Sequence, residues 1–521
     1  MSLELIKEGI RVNEVLTKGS GQTVLENDII VPDAKPDIAK ILLFDADAIV
    51  NSTEVASDKL IVSGTANYKI LYLSDEQDKT VKSINTKLNF SHTINMPSMA
   101  ENGKCKARSE VEHIEYNILN GRKVNAKLII KTDYKVTSEK DQAVANDIKG
   151  NENVQILKKS VNINSFVGAG QGEYKLSESL VIPNGKPAVS ELLRSDIRIT
   201  AKEYRLTDNK VIAKGELSIA TLYIADDETR SIQFMEHEIP FTQFVDLNGV
   251  NDDALCDVDY RIIDSEFEAS EDDDGELRVI SADIILMIDV EGYERKTVDV
   301  LDDAYSQRSD ILLDKETIVM EEAVTESRSQ IVLKDTMIID EHSPEIAEVF
   351  NVLCKPSLSE YRIADDKLVV EGSVKNSVLY LSNNNEQPVC CYQQEIPFRQ
   401  FIDVKGAMPG MSCEITMDID HCNYSMVSSN EVEIRLGIGA NLKIAKQIRV
   451  PLVTNVTEKQ LDENKFLSQP SVTIYFCQPG DTLWKVAKKY YTTAESIKKV
   501  NNLGDKDALC IGQQIIIPRK L

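Results

Sequence analysis

The side chains able to carry bond-making chemistry are five histidines, nine cysteines and a few acidic clusters, and their spacing speaks against each use. His92, His113, His237, His342 and His421 are scattered, and none stands in the H-E-x-x-H pattern that sets two imidazoles and a base on one helix face. Glu236-His237-Glu238 is tempting, but alternation in an extended segment sends both carboxylates to one face and the ring to the other. It reads as a solvated strand. Gly168-Ala169-Gly170-Gln171-Gly172 lacks both the lysine of a phosphate-binding loop and the dinucleotide spacing, and reads as a loop. Glu271-Asp272-Asp273-Asp274-Gly275-Glu276 lacks the alternating ligands of a calcium loop and reads as a charged hairpin turn. The cysteines form no C-x-x-C pair, and only Cys390 and Cys391 are adjacent. Reduced, mostly buried thiols are expected rather than a metal site or a disulfide framework. No enzymatic activity, metal or cofactor is expected.

The elements that would position a site are clearest at the carboxyl end. A short strand, Ile474 to Cys477, meets a turn at Pro479-Gly480. Asp481 and Thr482 can cap a helix that opens on Leu483 and Trp484 and continues its stripe through Val486, Ala487 and Tyr490. A second short helix carries Ile497 and Val500 and ends near Asn501-Asn502. Gly512 turns the chain into a strand, Ile515 to Ile517, and Pro518 stops it. This βααβ unit resembles the LysM domain. The matching positions are Gly480 to Leu483, Asn501 to Leu503, Leu509 to Gln513, and Ile517-Pro518. The resemblance implies a groove lined by the loop after the first strand and the loop before the last. Its partner-binding rim would be Gly480, Asp481, Thr482, Leu483 and Trp484, with Leu509, Ile511 and Gly512 opposite. Core packing of Trp484, and turn and cap duty for Gly480 and Asp481, are the competing readings. Cys477 and Cys510 fall in the same unit and are expected as thiols in a reducing compartment.

Ahead of this unit the chain repeats itself three times. Gly64, Gly215 and Gly372 are each followed eight residues later by the tyrosine of a Leu-Tyr pair: Leu71-Tyr72, Leu222-Tyr223 and Leu379-Tyr380. Each is preceded by a proline 28 residues earlier: Pro36, Pro187 and Pro344. Copies two and three share Glu-Ile-Pro-Phe-x-Gln-Phe-x-Asp, at Glu238 to Asp246 and Glu395 to Asp403, and copy one is read as keeping a shadow of it at Thr93-Ile94-Asn95-Met96-Pro97. The period is domain-sized. Leu60, Val62, Ala66, Tyr68, Ile70 and Tyr72 alternate as in a sheet with one buried face. A glycine inside such a run marks a bulge, a bend or a close backbone approach. The segments after the prolines, Asp37 to Leu42, Ala188 to Leu193 and Glu345 to Val349, have a helical look.

The expected fold class is mainly β: three tandem β-rich domains, each a sandwich or partly open barrel with a short helix, then the small βααβ unit. The boundaries are 1–150, 151–305, 306–454, a linker at 455–470, and 471–521. The polar stretches 138–152 and 300–310 read as loops or junctions.

Net charge is −26, which disfavours nucleic acid as a partner. Residues 471–521 hold eight basic and four acidic side chains, so a +4 module is joined to a body of −30. An acidic partner or polymer would suit that tail; simple solvation of two lysine-bearing helices is the alternative. No apolar run is long enough to span a membrane. The start, MSLELIKEGIRVNEVL, has no basic stretch followed by an apolar one, which reads against classical secretion and for a cytoplasmic setting.

Three such copies followed by one LysM-like unit resemble the SipL-type spore coat morphogenetic proteins. The resemblance implies a non-enzymatic adaptor in the mother-cell cytoplasm, at the outer surface of the forespore. Its LysM unit would dock stage IV sporulation protein A, an ATP-using coat scaffold. The alternative is a glycan-binding protein whose LysM unit holds peptidoglycan or another N-acetylglucosamine polymer.

Overall fold

The computed structural model describes residues 3–77, 79–96, 103–150, 153–340, 342–384, 386–460, 472–503 and 509–518. The first repeat lays down β1 (Glu4–Ile30), β2 (Ile38–Val55), β3 (Lys59–Ser74), β4 (Val81–Asn95), β5 (Lys104–Asn120) and β6 (Lys123–Lys149). The second has β7 (Val154–Val181), β8 (Val189–Thr207), β9 (Lys210–Ala225), β10 (Ile232–Asp246), β11 (Leu255–Ser270) and β12 (Val279–Ser306). The third has β13 (Ser309–Ile338), β14 (Glu348–Ala364), β15 (Lys367–Leu381), β16 (Val389–Asp403), β17 (Ser412–Ser428) and β18 (Glu431–Gln460). Each repeat forms two three-stranded antiparallel sheets, in the first β2-β3-β4 and β1-β6-β5. They pack face to face as an open sandwich. Ala66, Tyr68, Ile70 and Tyr72 of β3 meet Val124, Ala126, Leu128 and Ile130 of β6 in its core. Full burial of such apolar side chains is worth about 1.5–3 kcal/mol each.

The Leu-Tyr pairs owe their place to alternation. Tyr72, Tyr223 and Tyr380 point into their own sandwiches, and each hydroxyl donates to the carbonyl of the proline that opens its repeat, at 2.9, 3.1 and 2.9 Å. The fixed proline-to-tyrosine spacing is that hydrogen bond. Leu71, Leu222 and Leu379 point the other way and meet in one shared core with Leu193 and Phe350. Equivalent residues of three repeats meeting in one cluster define a pseudo-threefold arrangement, not a string of separate beads. A second shared cluster joins Val144 of β6, Val298 of β12 and Val450 of β18.

Charge fixes the order of the repeats around that axis. Lys106 faces Lys135 across β5 and β6, Asp257 faces Glu291 across β11 and β12, and Glu414 faces Lys443 across β17 and β18. Like charges opposed in the first two repeats would weaken either sheet alone. Neighbouring repeats relieve them: Lys106 pairs with Glu291 at 2.9 Å, Lys135 with Glu414 at 2.8 Å, and Lys443 with Asp257. The six charges line an axial cavity of about 660 Å³. The reverse order would set Lys106 against Lys443 and Glu414 against Glu291, so the ring selects one arrangement. Closer to the shared leucines, Arg194 is buried and unique to the second repeat. It donates to Asp196 at 2.7 Å and to Asp45 of the first repeat at 2.8 Å, while Lys69 donates to Asp196 at 3.2 Å.

Five expectations are corrected. The segments after the prolines are strand, not helix. Register shifts at Ile38/Lys40, Val189/Glu191 and Val349/Asn351 insert bulges, and an extra residue there spaces Ile38 and Ile41 three apart on one buried face. That spacing imitates a helical stripe. The stretches 138–152 and 300–310 are mostly strand, because β6, β12 and β13 run past the sandwiches to build the axial clusters. Asn455 to Gln460 likewise complete β18, and 461–470 lie outside the described residues. Gly168 to Gly172 belong to β7; a Cβ at Gly170 would stand 2.5 Å from Asp246 O, so glycine lets β10 cross closely. Finally, the register places copy one's shadow at Leu88-Asn89-Phe90. Phe90 lies opposite Gly64 as Phe241 lies opposite Gly215 and Phe398 opposite Gly372. Thr93 begins three residues past Phe90, and Pro97 lies outside the described residues. The acidic run after β11 is a hairpin turn, with Gly275 at φ +80°.

Candidate functional site

The carboxyl-terminal unit is built as its sequence implies: β19 (Val472–Phe476), α1 (Leu483–Lys489), α2 (Ala494–Asn501) and β20 (Gln514–Pro518). Thr482 caps α1 by accepting from Lys485 N at 3.2 Å, and Thr493 caps α2 by accepting from Ser496 N at 3.1 Å. Asp481 does not cap. It closes the preceding turn, accepting from Gln478 N at 2.8 Å and from the Tyr475 hydroxyl at 2.7 Å. Those two donors hold its carboxyl below the ordinary range. Asn501 joins α2 to β20 by donating to Ile516 O and accepting from Ile516 N.

The two expected rims do meet. Gly512 N donates to Cys477 O at 2.9 Å and Cys477 N to Gln513 O at 3.0 Å, which draws the 509–513 turn against the 478–482 turn. Gly480 and Gly512 take positive φ, +83° and +77°, with open space at the Cβ position. Gly480, Thr482, Ile511 and Gly512 are exposed, and Asp481 is half-buried. Leu483 and Leu509 instead pack in the unit's own core. Trp484 is taken up by the body of the protein. Its ring meets Tyr305 edge-on at 4.9 Å, and its N–H donates to Asp303 at 2.9 Å. Lys488 bonds the same carboxylate at 2.7 Å, Tyr305 donates to Thr492 O at 2.7 Å, and Tyr491 to Asp310 at 2.9 Å. A docking contact where the second repeat passes into the third therefore holds the unit in place. Nothing in the sequence near Asp303 or Tyr305 marked it.

A feature that the sequence reading missed lies beside the rim. Val472, Ile474 and Phe476 are 55–58% exposed along the outer face of β19, with Ile516 opposite Ile474 and Ile511, 75% exposed, at the turn. The apolar residues at alternate positions of β19, Val472, Ile474 and Phe476, are the sequence signal for it. Among the described residues no group of histidine, cysteine, aspartate or glutamate is gathered as for a metal, and no helix is long and apolar enough to cross a membrane.

Comparison with known families decides the architecture. The SipL, SPOCS domain model matches residues 37–119, 188–270 and 345–427, and the LysM domain model matches 478–518. The chain is a SipL-type protein. Each SPOCS match spans four strands, β2 to β5 in the first repeat, and the flanking β1 and β6 complete the second sheet. SPOCS and LysM domains are binding-type units, so this is a sporulation-related protein with a LysM binding module. No solved structure matches the chain.

The LysM docking contact can be tested with the protein's one tryptophan. Asp303→Ala removes a hydrogen bond to the indole and one to a charged amine, and should cost roughly 1.5–3 kcal/mol of docking. The low end is expected because Lys488 is 41% exposed. Trp484 emission should then shift to the red and become easier to quench. Burial would raise the Asp303 carboxyl, but Lys488 and Trp484 outweigh it and hold it low. Docking should thus persist above the ordinary carboxylate range and weaken only as pH falls through that depressed value.

Proposed function

We propose that this chain is a non-enzymatic adaptor of spore coat morphogenesis. It works in the mother-cell cytoplasm, at the outer surface of the forespore, and its LysM domain binds stage IV sporulation protein A. The observation that carries this reading is the exposed apolar face of Val472, Ile474, Phe476 and Ile516, continuous with the rim at Ile511, on a module attached to three SPOCS domains. Exposed apolar surface of this kind suits a protein partner. A sugar polymer is held by stacked rings and polar groups, and here the indole is already engaged by Tyr305 and Asp303. The partner-binding residues are then Gly480, Asp481, Thr482, Ile511 and Gly512 with the β19 face. Leu483, Trp484 and Leu509 act from behind by shaping the rim and anchoring the module.

The test is capture of the purified scaffold protein by the full chain, by a chain lacking 471–521, and by Phe476→Asp. Capture should vanish with the truncation and fall about tenfold or more with Phe476→Asp, as when one buried aromatic anchor is lost. Undiminished capture by the truncated protein would sink the assignment. Tight, saturable sedimentation with purified peptidoglycan would put the glycan reading in its place.

A further inference from the structure

Cys354 on β14 and Cys422 on β17 bring their sulfurs to 3.4 Å. The two strands belong to different sheets of the third sandwich, so the thiols meet across its interior. Both are half-buried and unbonded to each other. Among the described residues this is the one sulfur-to-sulfur contact. Arg198 of β8, from the second repeat, reaches the same place and donates to Val352 O at 3.1 Å. Both sulfurs approach that carbonyl at 4.0 Å. The hydrogen bond from Cys354, and then the Arg198 guanidinium, hold the Cys422 thiol below its ordinary value against burial, while the same bond pushes Cys354 up. Such an asymmetry gives one sulfur the thiolate character of an attacking group. The pairing is particular to the third repeat. The register puts Ile197 and Ser265 at the matching positions of the second repeat, and Ala46 and Ile114 in the first.

We propose that Cys354 and Cys422 form a reversible dithiol–disulfide site, with Cys422 as the attacking sulfur and a small-molecule disulfide as the oxidant. The Cys422 thiolate attacks one sulfur of the oxidant, forming a mixed disulfide and releasing one thiolate. Cys354 then loses its proton and attacks Cys422 Sγ, expelling the second thiolate. The two protein thiols are oxidised, the oxidant is reduced to two thiols, and the two protein protons end on them. The sulfurs have to close from 3.4 Å to about 2.05 Å. The bond would tie the two sheets of the third repeat together across 68 residues of chain. That constrains its unfolded state more than its folded one.

The full chain is titrated with glutathione disulfide, quenched in acid, alkylated and mapped by mass spectrometry. A Cys354–Cys422 link should form at lower oxidant than any other cysteine pair. The oxidised protein should melt roughly 5 °C higher, the size expected for one added cross-link in a domain of this length. Cys354→Ser should trap Cys422 as the glutathione mixed disulfide, and Arg198→Gln should slow that trapping several-fold. Cys422→Ser should leave Cys354 free. A link led by another pair, or a Cys354→Ser protein whose Cys422 stays unmodified while the exposed Cys510 reacts, would overturn the proposal.

Discussion

Arg194→Leu should destabilise the three-repeat body by about 3–5 kcal/mol near neutral pH, the usual cost of removing one partner from a buried ion pair. Leucine fits the axis, since the first repeat has Leu43 at the matching position. The loss is therefore electrostatic rather than steric. Burial alone would raise Asp196 and Asp45; the Arg194 guanidinium outweighs it and holds both carboxyls below the ordinary range. In the wild type the network's contribution is present above the unfolded carboxylate pKa, near 4, and is lost only as pH falls through the depressed folded values. In the variant, Asp196 would keep only Lys69 and Asn351, and Asp45 only the more distant charge of Lys355, so their folded pKa values should rise. The folded state would then bind more protons than the unfolded state, so the deficit should shrink as pH drops from 7.5 to 5.5. Urea denaturation at the two pH values measures this directly. An equal deficit at both would show that lost packing, not stranded charge, is the cause.

Gly372→Val should cost about 3 kcal/mol and Gly215→Val nearer 1 kcal/mol, the upper and lower range for overpacking a tight core. None of the three repeat glycines has a positive φ, so backbone freedom does not explain them. Close approach does. A Cβ at Gly372 would lie 2.3 Å from the backbone oxygen of Ser357 and 2.8 Å from the Phe398 ring. At Gly64 the neighbours are Ile49 O at 2.3 Å and Phe90 at 2.5 Å. At Gly215 the nearest atoms belong to the Phe241 ring, at 2.8 Å, and Thr200 O is back at 3.2 Å. A ring can swing aside, whereas a carbonyl fixed in a ladder cannot. Thermal melts of the two variants should therefore differ, and equal shifts would defeat the account. The phenylalanine of the shared E-I-P-F segment covers its glycine directly across the strand pair, in the manner of aromatic rescue.

Much of this protein follows from local chemistry. The βααβ unit was legible because its caps, glycines and apolar stripe act within a few residues, and Thr482, Gly480 and Gly512 take those roles. The threefold repeat and its strands were legible because alternation is a property of neighbouring residues. Even the proline-to-tyrosine spacing was visible, though not the hydrogen bond that fixes it. What misled was also local: a bulge after Pro36 spaces Ile38 and Ile41 as a helix would, and a glycine run that permits a close strand crossing looks like a loop. The tertiary structure alone decided the rest, because it depends on pairs far apart in the chain. Leu71, Leu222 and Leu379 are ordinary strand residues until three repeats converge on them. Lys106 opposite Lys135 is a defect until Glu291 and Glu414 arrive from the other repeats. Trp484 could be read as a ligand platform until Asp303, 181 residues earlier, accepts a hydrogen bond from its indole N–H and places the ring against the body. Alternation, capping and turn chemistry act through the few residues on either side, whereas charge pairing and apolar burial act through space and take their partners from wherever the fold brings them.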